Sequence, residues 1–390
     1  MPPRRGSLKR GYYSDSTCYA GSAILPTRQS GNFLTVSDLG EHALLGRLLA
    51  RLPRPSAQVL IGPGDDAAVL APVRNERLVV TTDAVVEGVH FSRAHFAPAD
   101  IGHKALAVNL SDLAAMAATP QWALLSLVLP GDWLVADVEG LVDGLTALAV
   151  AHGVSVVGGN ITRTTGPLVV DVTAGGTVES RKWLTRTGAI AGDEIWVSGT
   201  LGGARAGLEM LRQADADRPL VPRSLGEGGS CIEKQRRPEP RVRLGVAVGR
   251  GRAARAAMDL SDGLADAIRQ IGAASGCGAR LDASALPIEP GAAAWWQARG
   301  VDPVMAAIAG GEEYELLFAV PKKGGRLRNV RRHVAKPAMT RIGVWLKDPS
   351  EFVVERGGHD EALPQGYSHF AERSEVKTTL AERSEAKTTL

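Results

Sequence analysis

The spacing of apolar and polar positions divides the chain into alternating helices and strands. Leucine and alanine at intervals of three and four residues predict helices over 36–52, 100–116 and 135–152, because this spacing places them on one helical face. Short apolar runs bounded by turn residues predict strands. These runs lie at 59–61, 78–82, 122–129, 154–157 and 168–178, and the run at 154–157 is expected to stop at a turn formed by Gly158, Gly159 and Asn160.

The pattern changes near residue 183, and a new strand is predicted at 195–198. Further helices are predicted up to residue 212 and over 264–274, strands at 314–320 and 341–345, and a loop over 214–240. We therefore expect a flexible extension at 1–34, a first domain at 35–180, a second at 181–370 and a tail at 371–390. In the tail a ten-residue polar unit occurs twice, AERSEVKTTL and AERSEAKTTL.

Composition narrows the class of protein. A chain of 390 residues with 44% hydrophobic residues, 45 Gly and only 5% aromatics is typical of a two-domain α/β enzyme rich in tight turns. The net charge of +3 is small, and the basic cluster at 322–332 contains no aromatic residues, so no nucleic-acid partner is expected. No apolar run reaches the roughly 18–20 residues of a membrane span. Three cysteines without metal-type spacing favour a reducing, cytoplasmic location.

Aspartates follow several apolar strands, among glycines and hydroxyl residues. They occur in the segments GPGDDAAV, VVTTDA, VNLSDL and MDLSDG, which contain Asp66, Asp83, Asp112, Asp259 and Asp262. Carboxylates repel one another when they are brought together, so such a collection predicts a site for hard cations. Mg²⁺ prefers oxygen ligands and is commonly shared between carboxylates and substrate phosphates. The sequence therefore predicts magnesium-assisted phosphate chemistry.

Each motif also has a structural interpretation. Asp262 stands where it would cap a helix, His90 is compatible with a packing role, and Asp112 with a solvent-facing helical position. In the Gly310–Tyr314 segment, either acid would equally suit a cap or a salt bridge. The chain contains no Gly-x4-Gly-Lys-Ser/Thr loop and no Gly-x-Gly-x-x-Gly fingerprint, which excludes the common nucleotide-binding classes.

Taken together, these segments resemble the thiamine-monophosphate kinases, in the superfamily of aminoimidazole-ribonucleotide synthetase. The resemblance covers residues 36–370, with the motifs in one order. The matching blocks are GPGDDAAVL (62–70), TTDAVVEGVHF (81–91), HKALAVNLSDLAAMAATP (103–120), VVGGNITR (156–163), LTRTGA (184–189), RRPEPRVRLG (236–245), MDLSDGLADAI (258–268), GGEEYELLF (310–318) and GYSHF (366–370).

The resemblance implies an α/β (α+β) fold of two domains, in which the first domain forms a barrel across a homodimer and ATP lies between the domains. It implies transfer of the ATP γ-phosphate directly to thiamine monophosphate, with Asp83, Asp259 and Asp262 central to catalysis. The residues that match family positions are Asp66, Thr81, Thr82, Asp83, Asp112, Asn160, Asp259 and Asp262 for Mg²⁺, Gly159, Asn160, Arg186 and Ser261 for ATP, and His90 and Glu312 for the thiamine substrate.

Two departures from the family pattern keep alternatives open. Asn160 stands where the family often has a metal-binding Asp, and Pro364 stands where it can have a Trp that stacks on the substrate. The Pro364 departure motivates a second hypothesis, a related ATP-using enzyme with another phosphoryl or acyl acceptor. A third hypothesis is an inactive dimeric scaffold.

Overall fold

A computed structural model describes residues 34–63, 67–217, 229–323 and 325–366, without the side chains of 214–217. Asp66, Tyr367, the extension before residue 34 and the duplicated tail therefore lie outside the described residues. The described part contains two main sheets, with helices packed on them, and a small strand pair. The predicted mixed α/β, two-domain fold is confirmed.

The first region is built on a four-stranded sheet in the order β3-β6-β4-β5. Two of its helices, α3 and α4, pack against each other, and α3 also packs on β3 and β6. The elements are α1 (Val36–Leu39), α2 (Glu41–Leu49), β1 (Val59–Ile61), β2 (Val69–Leu70), β3 (Glu76–Val86), α3 (Pro98–Ala115), β4 (Thr119–Pro130), α4 (Val135–His152), β5 (Ser155–Thr164) and β6 (Val169–Glu179).

The second region is built on a seven-stranded sheet in the order β13-β12-β9-β11-β7-β10-β8. Its elements are β7 (Glu194–Ser198), α5 (Gly203–Asp217), α6 (Gly229–Arg236), α7 (Val242–Gly251), β8 (Ala256–Asp259), α8 (Leu264–Ser275), β9 (Gly278–Asp282), α9 (Pro290–Gln297), α10 (Pro303–Ala309), β10 (Leu316–Val320), α11 (Arg326–His333), β11 (Met339–Leu346), β12 (Phe352–Arg356) and β13 (His359–Ala362).

Helix α3 joins the two regions. It contacts β3 and β6 of the first sheet and also β8 and α7 of the second region. The hydrophobic core around it continues from Leu110 and Leu113 to Leu316 and Phe318 of β10. The end of β8 is therefore held against the helix that carries Asp112, which brings motifs far apart in the sequence to one place.

Three sequence expectations are wrong in detail. The helix predicted over 36–52 is broken at Gly40, whose φ of 82° separates α1 from α2. The loop predicted over 214–240 contains helix α6. The strand predicted to stop at Gly158 instead continues as β5 through Gly158, Gly159 and Asn160. A Cβ on Gly159 would lie 1.9 Å from the Leu125 carbonyl oxygen, so this glycine allows close strand pairing rather than a turn.

Candidate active site

A cavity of about 470 Å³ lies where β3 and α3 meet the second sheet. Strand ends and loops from both regions line it, which is a common location for a ligand site. Eight residues predicted from the sequence share its wall, namely Asp83, His90, Asp112, Arg186, Asp259, Ser261, Asp262 and Glu312. The structure therefore brings together residues that are separated by more than half the chain.

Three carboxylates at this wall influence one another. Burial and the neighbouring Asp112 raise the pKa of Asp83 to about 7. Burial and Asp112 likewise raise the pKa of Asp259 to about 7, although Ser111 Oγ donates a hydrogen bond of 2.8 Å to Asp259 Oδ2. The Thr81 hydroxyl donates to Asp112 Oδ2. The protein thus holds mutually repelling carboxylates together, an arrangement that a bound cation would stabilise.

The loop between β8 and α8 places Ser261 and Asp262. Gly263 is the N-cap of α8, with a φ of 95°, and a Cβ there would lie 2.2 Å from the Gly310 carbonyl oxygen. Only glycine fits this left-handed, crowded position. Asp262 is therefore not the helix cap, and it lines the cavity instead.

Glu312, which also lines the cavity, belongs to a buried ion pair. Lys104 Nζ of α3, whose side chain is 1% exposed, lies 2.6 Å from Glu312 Oε1. Gln235 Nε2 donates to Glu312 Oε2 at 2.6 Å. Burial opposes ionisation of Glu312, but Lys104 and Gln235 together hold the pKa of its carboxyl below the usual value. Glu312 also has a φ of 63°, unusual for a residue with a side chain, so packing holds this carboxylate in a strained conformation.

His90 follows β3 in a tight turn near the same wall. Its Nδ1 accepts a hydrogen bond of 3.1 Å from the Val86 backbone N–H, and its carbonyl oxygen accepts one from Lys104 Nζ at 3.1 Å. In the neutral ring the proton therefore belongs on Nε2. Lys104 therefore contacts both residues that match substrate positions. It holds the His90 turn through the His90 carbonyl oxygen and Glu312 through the ion pair.

Four of the described site residues do not line this cavity, and Asp66 lies outside the described residues. Thr81 is next to the cavity, because its hydroxyl donates to Asp112 Oδ2. Thr82 points to the opposite face of the first sheet, where its hydroxyl lies 3.2 Å from Asp171 Oδ1. Asn160 lies in the same cross-strand row as Asp171, through Ser126, and hence on that same face. Gly159 lines two other pockets beside β4 and does not line the active-site cavity.

Sequence reasoning overlooked two arginines. Arg205 and Arg212 of α5 line the cavity together with Leu208. Their spacing of three, four and seven residues places them on one face of the helix. This spacing was visible in the sequence, but nothing there showed which face of α5 meets the aspartates.

Comparisons with known proteins identify the family of the chain. Residues 64–178 match the N-terminal domain of AIR synthase related proteins, and residues 191–355 match their C-terminal domain. Thiamine-monophosphate kinase of Escherichia coli K12 is 38% identical over 337 residues, which cover 85% of this chain and 98% of that protein. The chain belongs to the thiamine-monophosphate kinase family.

Solved structures of this kinase family have the same fold. The crystal structure of thiamine-monophosphate kinase from Stenotrophomonas maltophilia K279a is 39% identical, with a TM-score of 0.69, and covers 80% of this chain and 95% of its own. AaThiL complexed with AMPPCP and TMP is 32% identical, with a TM-score of 0.66, over 85% of this chain and 98% of its own. The match therefore includes both regions that build the cavity.

Proposed function

We propose that this protein uses ATP to phosphorylate thiamine monophosphate, giving thiamine diphosphate and ADP. The observation that carries the proposal is the cavity itself, which is lined both by mutually repelling carboxylates and by a fixed, ionised Glu312. The named relatives, and the AaThiL complex with AMPPCP and TMP, support this choice of substrates.

The residues present fit Mg²⁺. Asp83, Asp112, Asp259 and Asp262 offer the carboxylate oxygens that this ion prefers, and burial together with the neighbouring Asp112 raises the pKa of Asp83 and of Asp259. Described side chains of His, Cys, Asp and Glu do not form a group of three that could hold a metal ion. We therefore expect substrate phosphates to complete the shell. Bound Mg²⁺ would neutralise charge between two polyanions.

The proposed ligand set has further members from the family resemblance. Asp66, Thr81, Thr82 and Asn160 remain proposals. Thr81 is next to the carboxylates through Asp112, whereas Thr82 and Asn160 face the other side of the sheet. Those two residues would need ligand or protein atoms that reach this exposed face.

The protein's own contribution is positioning and charge. Ser261 and Arg186 lie at the carboxylate wall, where they would orient the ATP phosphates, and Arg186 is held by Gln270 Oε1 at 2.6 Å. Arg205 and Arg212 bring positive charge that would hold the acceptor phosphate. A phosphate oxygen is already ionised at neutral pH, so direct transfer needs no strong general base.

The wall with Glu312 would select the acceptor. Thiamine carries a permanently positive thiazolium ring, and an ionised carboxylate stabilises such a ring when it is close. Lys104 and Gln235 fix Glu312 in that form, and His90 lines the cavity with it. We expect this wall to receive the thiamine moiety.

We also propose a homodimer in the cytoplasm. The face of the first sheet away from α3 exposes Leu78 (63%), Val80 (53%) and Leu124 (36%), with Leu60 and Val69 nearby in the chain's small strand pair. Apolar patches of this kind mark interfaces. A second copy would cover this face and supply atoms near Thr82 and Asn160. No helix in the described residues is long and apolar enough to cross a membrane.

One assay tests the reaction. The protein is incubated with MgATP and thiamine monophosphate, and thiamine diphosphate is measured by chromatography. We expect product in the wild type and none in Asp259→Asn. ATP hydrolysis without thiamine diphosphate would favour the alternative with another acceptor, and no ATP consumption would favour the scaffold.

A further inference from the structure

A second cleft in this structure is larger than the active-site cavity. A cleft of about 670 Å³ lies between the 181–184 segment, β7, α7 and the start of α11. It shares no residue with the active-site cavity. Its lining is strongly basic, with nine Lys or Arg residues and a single acid, Glu194. This cleft includes much of the basic cluster that the sequence shows at 322–332.

The positive charge of the cleft is largely uncompensated. Glu194 is already paired with Arg341 at 3.2 Å and accepts a hydrogen bond from Trp196 Nε1 at 3.0 Å. Among the described residues, Lys322, Lys323 and Arg328 have no carboxylate partner. A concave surface with one sign of charge focuses the field and concentrates anions.

Two further features favour an anionic ligand with a flat ring. Helix α11 begins at Arg326 beside the cleft without a side-chain cap, so first-turn N–H groups are available to phosphate oxygens. The Trp183 indole is 42% exposed at the cleft, and Trp196 already stacks with Arg331 at 5.5 Å. An exposed indole among cations is a surface on which planar rings stack.

We propose that this basic cleft binds a small molecule that carries a diphosphate group and an aromatic ring. Its volume lies in the range of small-molecule sites, roughly 300–1,000 Å³, which favours such a ligand over an extended RNA strand. ADP and thiamine diphosphate both carry a diphosphate group and an aromatic ring. Thiamine diphosphate is a candidate ligand because it is the product of the proposed reaction, so this choice rests on the proposed function. Its cations can neutralise the diphosphate by themselves, so binding there should need no metal ion.

The dependence on metal separates the two sites experimentally. In EDTA the active-site carboxylates repel a polyanion, whereas the basic cleft attracts it. Isothermal titration of the full chain with ADP, thiamine diphosphate and inorganic pyrophosphate in EDTA should show one site per chain. We expect the double variant Lys323→Ala/Arg328→Ala to weaken binding at least about tenfold, and Arg328→Lys alone to retain it.

Matched variants identify the site. Lys347→Ala removes an exposed cation elsewhere, Asp259→Asn alters the active site, and both should bind ADP like the wild type. Trp183→Ala should weaken ADP and thiamine diphosphate but leave pyrophosphate unchanged. Kinase turnover of the Lys323→Ala/Arg328→Ala variant should stay within about twofold of wild type, which keeps this test independent of the proposed function.

Four outcomes would overturn the proposal. They are absence of binding to all three probes in EDTA, unchanged binding in the double variant, loss of binding in Asp259→Asn, and a short single-stranded RNA that binds more than about a hundredfold tighter than ADP. Pyrophosphate binding as tight as ADP binding would overturn the role of the ring.

Discussion

The two faces of the four-stranded sheet differ in almost every respect. The face under α3 is buried and carries Asp83, whose carboxylate joins those of Asp112 and Asp259. The opposite face carries Thr82 and Asn160 and exposes Leu78 and Val80. Thr82 and Asp83 are adjacent in the chain, yet a strand sends neighbouring side chains to opposite faces. A run of polar residues at one strand therefore serves two separate surfaces.

The largest expected effect concerns the face of the sheet under α3, called the covered face below. Asp83→Asn and Asp259→Asn should each lower kcat for thiamine diphosphate formation at least about a hundredfold, because each removes charge that would hold the metal. The apo variants should melt at or above the wild-type temperature, since carboxylate repulsion is relieved. Asp132→Asn, on an exposed turn, is the matched control. Turnover close to wild type at low Mg²⁺ in either variant would refute the metal assignment.

On the opposite, exposed face, we expect substitutions to weaken dimerisation rather than metal binding. Val80→Glu places a carboxylate in the proposed dimer interface, and burial of an unpaired charge costs several kcal/mol. Sedimentation should show at least about a hundredfold weaker dimerisation while the circular dichroism spectrum is unchanged. Val150→Glu alters a similarly exposed valine, 62% exposed on α4, and should leave assembly intact. A wild type that is monomeric and fully active at micromolar concentration would contradict the dimer.

Much of this fold was predictable from local patterns. Helix α4 spans Val135–His152 as predicted, because a strong apolar repeat ends at Gly153 in the left-handed conformation that closes helices. Other features depend on partners distant in the sequence. The glycines of β5 resemble a turn until the β4 backbone is known, and the role of Arg205 depends on which face of α5 lines the cavity. The pairing of Lys104 with Glu312 likewise spans most of the chain.

The covered face should also make stability depend on pH. The pKa of Asp259 is raised to about 7 in the folded protein by burial and by Asp112. Between pH 4 and 7 the folded state thus binds more protons than the unfolded state, so stability of the apo protein falls as pH rises, by up to about 1.4 kcal/mol per pH unit for one group. Urea titrations in EDTA should show a shallower fall in Asp259→Asn. Parallel curves for both proteins would argue against the raised pKa.

The smallest effect concerns Asn160, on the exposed face. Asn160→Asp adds a negative charge that would attract a divalent cation and repel a bare phosphate. If this face reaches the metal once a second copy is in place, the Mg²⁺ concentration for half-maximal activity should fall, by about 1 kcal/mol in binding or roughly fivefold, with turnover preserved.

Thr162→Asp adds the same charge two residues along β5, on the same face, and therefore controls for a general attraction of cations. An equal shift in both variants would mean that Asn160 has no special position. An unchanged Mg²⁺ dependence in Asn160→Asp would place the residue outside the metal shell. Loss of ATP binding at saturating Mg²⁺ would instead show that the Asn160 amide donates to phosphate. Residues on both faces of the sheet would then contact the same nucleotide.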